Sequence, residues 1–184
     1  VKLLTENKNY FEEYIRFASS VIFKALASNK KIIFCGNGGS AAESQHMAAE
    51  YVATLDHQRP RDGLSAIALT TDTSFITAWS NDFGFETIFS RQVSVLGNKG
   101  DVLICYSTSG NSVNILNAIK EAQKKGLNYL IFTGSNKSSD LANISSQENI
   151  VHVPSNKTAL IQEVHTMLGH DTVSYTHLRA HETT

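Results

Sequence analysis

Five short runs of apolar residues, KIIFCG, LSAIAL, DVLICYS, NYLIFTG and NIVHVP, recur along the chain with longer stretches between them. Most are apolar at successive positions, where a strand wetted on one side would alternate. Such strands need cover on both faces, and helical periodicity over 40–55, 85–97, 111–125 and 158–170 supplies it. The pattern therefore predicts an α/β fold: a five-stranded parallel sheet flanked by helices. A long amphipathic helix over 2–28 precedes it, carrying Leu3, Leu4, Tyr10, Phe11, Tyr14, Ile15, Phe17, Ala18, Val21, Ile22 and Ala25. Its apolar stripe is broad enough to meet a partner subunit, although burial against its own domain explains it equally well.

At 184 residues and 41% hydrophobic content the chain suits one domain, and no linker or repeat divides it. That domain is expected to span 1–170. From Asp171 the segment DTVSYTHLRAHETT loses the apolar period before it and reads as a non-native tail over 171–184. Lys and Arg number 16 against 17 Asp and Glu, a net charge of −1, so no nucleic-acid partner is expected. No apolar run approaches bilayer length and no signal-peptide pattern opens the chain, which predicts no membrane association and a cytoplasmic location. Cys35 and Cys105 lie inside strand-like runs and read as small buried hydrophobes.

In an open parallel sheet, ligands settle beyond the carboxyl ends of the strands, so the loops after KIIFC and DVLICY matter most. Gly36, Asn37, Gly38, Gly39 and Ser40 form the first loop. Its glycines allow close backbone approach, and Ser40 is placed to cap a helix whose free N–H groups attract an anion. The spacing fits neither the dinucleotide fingerprint nor the nucleoside-triphosphate loop. Ser107, Thr108, Ser109 and Ser112 give the second loop four hydroxyls beside another helix start. These are uncharged donors suited to a phosphate monoester that must be bound and released. Either loop alone is explained by turn chemistry, whereas two of them converging on one crevice point to a phosphate.

His46 and Glu50 are four residues apart on the helix after the first loop, one turn apart on one face, where they could share an ion or form an ordinary surface pair. Glu43, a turn before His46, could orient it or be an exposed first-turn carboxylate. Asn81 and Asp82 suit several sugar hydroxyls or an Asx turn, and Trp79 reads as core.

Four stretches, CGNGGSAAESQHMAAE, SNDFGFETIFSRQV, GDVLICYSTSGNSVNI and IQEVHTMLGH, together resemble the sugar isomerase (SIS) domain superfamily, and within it the phosphoheptose isomerases. The resemblance implies a three-layer flavodoxin-like SIS fold and a homotetramer whose contacts include the N-terminal helix. It implies conversion of D-sedoheptulose 7-phosphate, a small-molecule sugar phosphate, into D-glycero-D-manno-heptose 7-phosphate for bacterial surface polysaccharide, including lipopolysaccharide. It further implies one Zn²⁺ per subunit held by His46, Glu50, Gln162 and His170, with Glu50 and His170 as the acid/base pair. Substrate contacts are implied at Asn37, Gly38, Gly39, Ser40, Glu50, Asn81, Asp82, Ser107, Thr108, Ser109, Ser112 and Gln162. Gln162 and His170 are eight residues apart, about 12 Å along a straight helix, so Gln162 could instead hold a sugar hydroxyl. His165 is a rival ligand to His170, or a packing residue. The superfamily also holds non-catalytic members, sugar-phosphate sensors and a binder of the replication initiator, which makes a regulatory protein the alternative.

Overall fold

The computed structural model describes residues 2–56, 58 and 60–182, with side chains described through His177. The apolar runs form β1 (Ile32–Gly36), β2 (Ala66–Ala68), β3 (Val102–Ser107), β4 (Asn128–Thr133) and β5 (Ile150–His152). All are parallel and ordered β2-β1-β3-β4-β5, the flavodoxin-like winding. From β1 the chain goes to one side for β2 and returns on the other for β3. The loops after β1 and β3 therefore diverge and leave a crevice at the carboxyl edge.

Among the described residues eight α-helices accompany the sheet: α1 (Lys2–Glu6), α2 (Lys8–Ala27), α3 (Gly39–Val52), α4 (Thr73–Phe83), α5 (Ile88–Leu96), α6 (Val113–Lys125), α7 (Asp140–Ile144) and α8 (Thr158–Glu182). Alternate strand residues point to opposite faces. Ile32, Phe34, Ile104, Tyr106, Leu130 and Phe132 meet α2, α3 and α8 in one core. Ile33, Cys35, Leu103, Cys105 and Ile131 meet α5 and α6 in the other. Both cysteines are free and fully buried, with their Sγ atoms 3.4 Å apart across β1 and β3. Burial pushes the Cys105 thiol pKa up, as expected of an inert core residue.

At the other end of the strands Asp101, 1% exposed, ties β1 to β3. It accepts from the main-chain N–H groups of Lys31 (3.0 Å) and Asn98 (2.8 Å) and from Lys31 Nζ. Burial works to raise its pKa, but the Lys31 ammonium and the main-chain donors prevail and hold it below the usual carboxylate range.

Three local differences from the sequence expectation have physical causes. The N-terminal helix is broken at Asn7, whose side-chain amide donates to Leu3 O at 2.8 Å and closes α1. Thr73–Phe83 is helical although no helix was expected there; Ile76 and Trp79 pack partly buried against the second core, and no residue of it is fully buried. Asp72 starts it by accepting from Phe75 N at 2.9 Å. The helical period also does not end at His170, because α8 continues to Glu182. Leu168, Thr172, Val173, Thr176 and His177 keep helical spacing on its buried side while exchanging aliphatics for polar groups. Those groups are satisfied locally: Thr172 Oγ1 donates to Leu168 O at 2.7 Å and Thr176 Oγ1 to Thr172 O at 2.8 Å. Residues 183–184 of that segment lie outside the described residues.

Candidate active site

The first loop turns within a tight space. A Cβ on Gly36 would stand 2.5 Å from Ser40 O, and Gly38 has a φ of +56°. Gly38 is the N-cap of α3, and Ser40 lies inside the first turn, buried, so the expected capping role of Ser40 is corrected. Glycine takes that position because the chain must leave β1 in a left-handed conformation, leaving the first N–H groups of α3 without a side-chain cap.

The second loop closes on the first through a reciprocal amide pair. Asn37 Nδ2 donates to Asn114 Oδ1 and Asn114 Nδ2 to Asn37 Oδ1, each at 2.9 Å. Ser112 is the N-cap of α6 but makes no side-chain cap bond; its hydroxyl instead lies 3.3 Å from Ser107 Oγ. Ser107 is buried, Thr108 half-buried and Ser109 exposed. Gly110, with φ +71°, packs so closely that a Cβ would meet Ser139 Oγ at 2.5 Å. The hydroxyls therefore stand beside the uncapped start of α6, an arrangement that favours an anion. Thr108 and Ser109 also line a cleft of about 220 Å³ with Ser135, Asn136, Asn156 and Thr158. With Ser155 those four make five polar residues beside the serine loop that were not anticipated, because nothing in their local spacing marks them.

His46, Glu50 and His170 come together from α3 and α8. His46 Nε2 lies 2.8 Å from His170 Nε2, and His46 Nδ1 lies 3.8 Å from Glu50 Oε1. A donor atom from each falls within 4.8 Å of the others. Two imidazole nitrogens on one tetrahedral zinc stand about 3.3 Å apart, so binding requires the histidine pair to open by about half an ångström. A change that small fits half-exposed side chains, and two imidazoles with a carboxylate suit a borderline-soft divalent ion. Glu50 Oε1 pairs with His46 only at ion-pair distance, beyond a hydrogen bond.

A cleft of about 380 Å³ beside this trio is lined by residues including Gly39, Glu43, His46, Gln162, His165 and Thr166. Gln162 lies against the first turn of α3, where a Cβ on Gly39 would meet its Nε2 at 2.5 Å. It thus shares the cleft with His46 and sits next to the glycine turn. Glu43 is neither an exposed first-turn carboxylate nor an orienting partner of His46. Its Oε2 accepts from Thr166 Oγ1 at 2.6 Å, joining α3 to α8, while its buried Oε1 has no partner in the protein.

His165 is a core residue, 1% exposed beside the rings of Tyr106 and Phe132, with Nε2 3.4 Å from Thr133 O. Burial pushes its pKa from 6.5 down to about 4, against the pull of that carbonyl. The unfolded chain protonates this ring below about 6.5 while the folded protein keeps it neutral. Stability is therefore complete above that pH and lost as pH falls towards 4, by about 3 kcal/mol in all. Urea unfolding between pH 7 and pH 5 should show a loss that His165→Leu largely removes. Identical slopes in the two proteins would contradict this assignment.

Asn81 and Asp82 lie exposed in the last turn of α4, with Asn81 Nδ2 donating to Asp82 Oδ1 at 2.8 Å. They are part of a helix, not an Asx turn before one, and the single chain does not include them in the cleft lining. Trp79 is half-buried between Phe75 and Phe83, and its Nε1 donates to Thr87 Oγ1 at 2.9 Å.

Residues 1–134 match the SIS domain family. A phosphoheptose isomerase of Burkholderia pseudomallei is 51% identical over 146 residues, covering 79% of this chain and 72% of the relative. One from Maridesulfovibrio salexigens is 45% identical and covers 91% and 80% of the two chains. The solved phosphoheptose isomerase of Neisseria gonorrhoeae superposes with a TM-score of 0.85 at 38% identity, over 94% of this chain and 90% of that one. A Francisella tularensis phosphoheptose isomerase gives 0.88 at 34%, over 95% and 91%.

Proposed function

The chain belongs to the SIS domain family, and from that premise we propose that it isomerises D-sedoheptulose 7-phosphate to D-glycero-D-manno-heptose 7-phosphate, a precursor for bacterial surface polysaccharide such as lipopolysaccharide. The observation that carries this reading is the meeting of Glu50 and His170 at His46, on a helix that begins in the glycine turn beside the serine loop. One end of the crevice suits a phosphate, the other suits proton transfer.

Aldose–ketose isomerisation removes a proton from C1 of the ketose, returns one to C2, and moves another from O1 to O2 through an enediol. Glu50 supplies the base for the carbons, and His170 the acid for the oxygens. The hydroxyls of Ser107, Thr108, Ser109 and Ser112, with the turn at Asn37, Gly38, Gly39 and Ser40, hold the phosphate end and so fix C1 and C2 before Glu50. Gln162 faces the sugar between these ends. Asn81 and Asp82, exposed on α4, reach substrate in this proposal across a subunit boundary of a cytoplasmic homotetramer to which the helices over 1–28 contribute.

The residues suit one zinc ion per subunit: His46, Glu50 and His170 would hold it, with Gln162, which lines the same cleft as His46, as the fourth ligand. When bound, zinc polarises the sugar carbonyl and stabilises charge on its oxygen. A cation beside Glu50 would lower its basicity, so its role as base needs a carboxylate that the ion does not hold tightly.

The test is to incubate the protein with sedoheptulose 7-phosphate, with and without added zinc, and follow the aldose. Zinc-stimulated aldose formation is expected, whereas binding without turnover would favour a sugar-phosphate sensor. Removing hydroxyls at the phosphate end, Ser107→Ala with Ser109→Ala, should raise KM at least about tenfold and leave kcat within a few-fold. A fall in kcat at unchanged KM would place those serines at the chemistry instead.

A further inference from the structure

The last turn of α3, which carries Glu50, ends against a guanidinium. Arg61 Nη2 donates to Glu50 O at 2.8 Å, and Nη1 lies 2.9 Å from Tyr51 O, 2.9 Å from Asp62 O and 3.5 Å from Ala53 O. A helix leaves its last four carbonyls unpaired, and a cation there also meets the negative end of the dipole. A planar fork can serve several of those carbonyls at once, which an ammonium cannot do in the same way. The connection to β2 closes around the same turn. Leu64 N donates to Tyr51 O at 2.9 Å, and a Cβ on Gly63 would stand 2.7 Å from Val52 O.

The two neighbours held by Arg61 differ in what else anchors them. Tyr51 is 2% exposed and packs on Phe34 with ring centroids 5.9 Å apart, so the helix stays on the sheet without Arg61. The Glu50 carboxylate has its histidine partner 3.8 Å away, too far to fix it. Its direction therefore depends on the main chain beneath it.

We propose that Arg61 is a positioning residue for the isomerisation: by locking the carbonyls of the C-terminal turn of α3, its guanidinium sets the Glu50 carboxylate against His46 and His170. The proposal rests on the reading of Glu50 as an acid/base group and ligand. Displacements of about 1 Å at a reacting group cost up to about a hundredfold in rate, and residues that orient metal ligands are worth about 10- to 100-fold in activity or metal affinity.

The experiment compares the unsubstituted chain with Arg61→Ala, Arg61→Gln and Arg61→Lys. It measures kcat and KM for sedoheptulose 7-phosphate, a zinc binding isotherm, and the folded fraction by circular dichroism. Arg61→Ala and Arg61→Gln should lower kcat about 10- to 100-fold per folded molecule, hold KM within about twofold, and weaken zinc about tenfold. Arg61→Lys should recover part of both losses, since an ammonium can still meet one carbonyl. Unchanged kcat and zinc affinity per folded molecule would overturn the proposal, as would a loss confined to KM. If Arg61→Ala does not fold, Arg61→Gln and Arg61→Lys decide by the same criteria. If the wild type itself shows no turnover, the isomerase reading fails and the zinc isotherm alone decides the role of Arg61: weaker binding in the variants supports it, and equal binding overturns it.

Discussion

Replacing Glu50 by Gln should slow aldose formation about a thousandfold while the phosphosugar still binds, because a positioned acid/base group contributes about 10² to 10⁴ in rate. The substitution keeps the size of the side chain and its place on α3, where 19% of the carboxylate side chain is exposed. It removes the negative charge, and with it the capacity to take a proton and to bind a cation firmly. The proposed phosphate end, the turn at Gly38 and the loop around Gly110, is formed by other residues. Calorimetric titration with the substrate should accordingly give a dissociation constant within a few-fold of wild type. A variant that turns over normally, or that loses binding and rate together, would mean that Glu50 anchors the sugar instead of moving its proton.

The second large effect concerns the core beneath the site. Phe132→Ala should cost about 3 to 5 kcal/mol, the range for emptying a buried aromatic site, and lower Tm by roughly 6 to 20 °C for a chain of this size. Phe132 is 1% exposed, and its ring meets Tyr106 at 5.0 Å, Tyr14 at 5.5 Å and His165 at 5.9 Å between centroids. These neighbours come from β3, α2 and α8, so the elements cannot close the void without separate movements. The next residue, Thr133, donates from Oγ1 to Ser107 O at 2.7 Å, which couples this core to the serine loop. A cost under about 1 kcal/mol, measured by urea unfolding, would contradict the packing described.

The strands were legible because a doubly covered strand leaves an unbroken apolar run, and KIIFCG and DVLICYS could hardly be anything else. Their loops were legible for a related reason: with the sheet established, only the carboxyl ends of the strands can hold a ligand. Helix α4 was not, although Phe75, Trp79 and Phe83 recur at four-residue spacing, because TSFITAWSNDF is short and its apolar residues, Ile76 and Trp79 among them, are only partly buried against the core. Gly38 was passed over as N-cap because Ser40 has the better capping side chain, while the turn is decided by a φ of +56° that Ser40 would adopt less readily. The bond from Glu43 to Thr166 spans 123 positions, and no local pattern announces a contact of that separation. Arg61 was missed for the same reason in a milder form, as its partners lie up to 11 positions back in a connection without periodicity. The approach of His46 to His170 across 124 positions was accessible only through the resemblance of the two stretches that carry them.

The central claim is that one crevice both holds a sugar phosphate and isomerises it. The most direct measurement follows sedoheptulose 7-phosphate labelled with ¹³C at C1 by NMR in the presence of zinc-supplied protein. The hydroxymethyl signal of the ketose should give way to the C1 signal of the aldose, and the sugar without its phosphate should react far more slowly. A labelled phosphosugar that binds the protein and never develops an aldose C1 signal would contradict the claim.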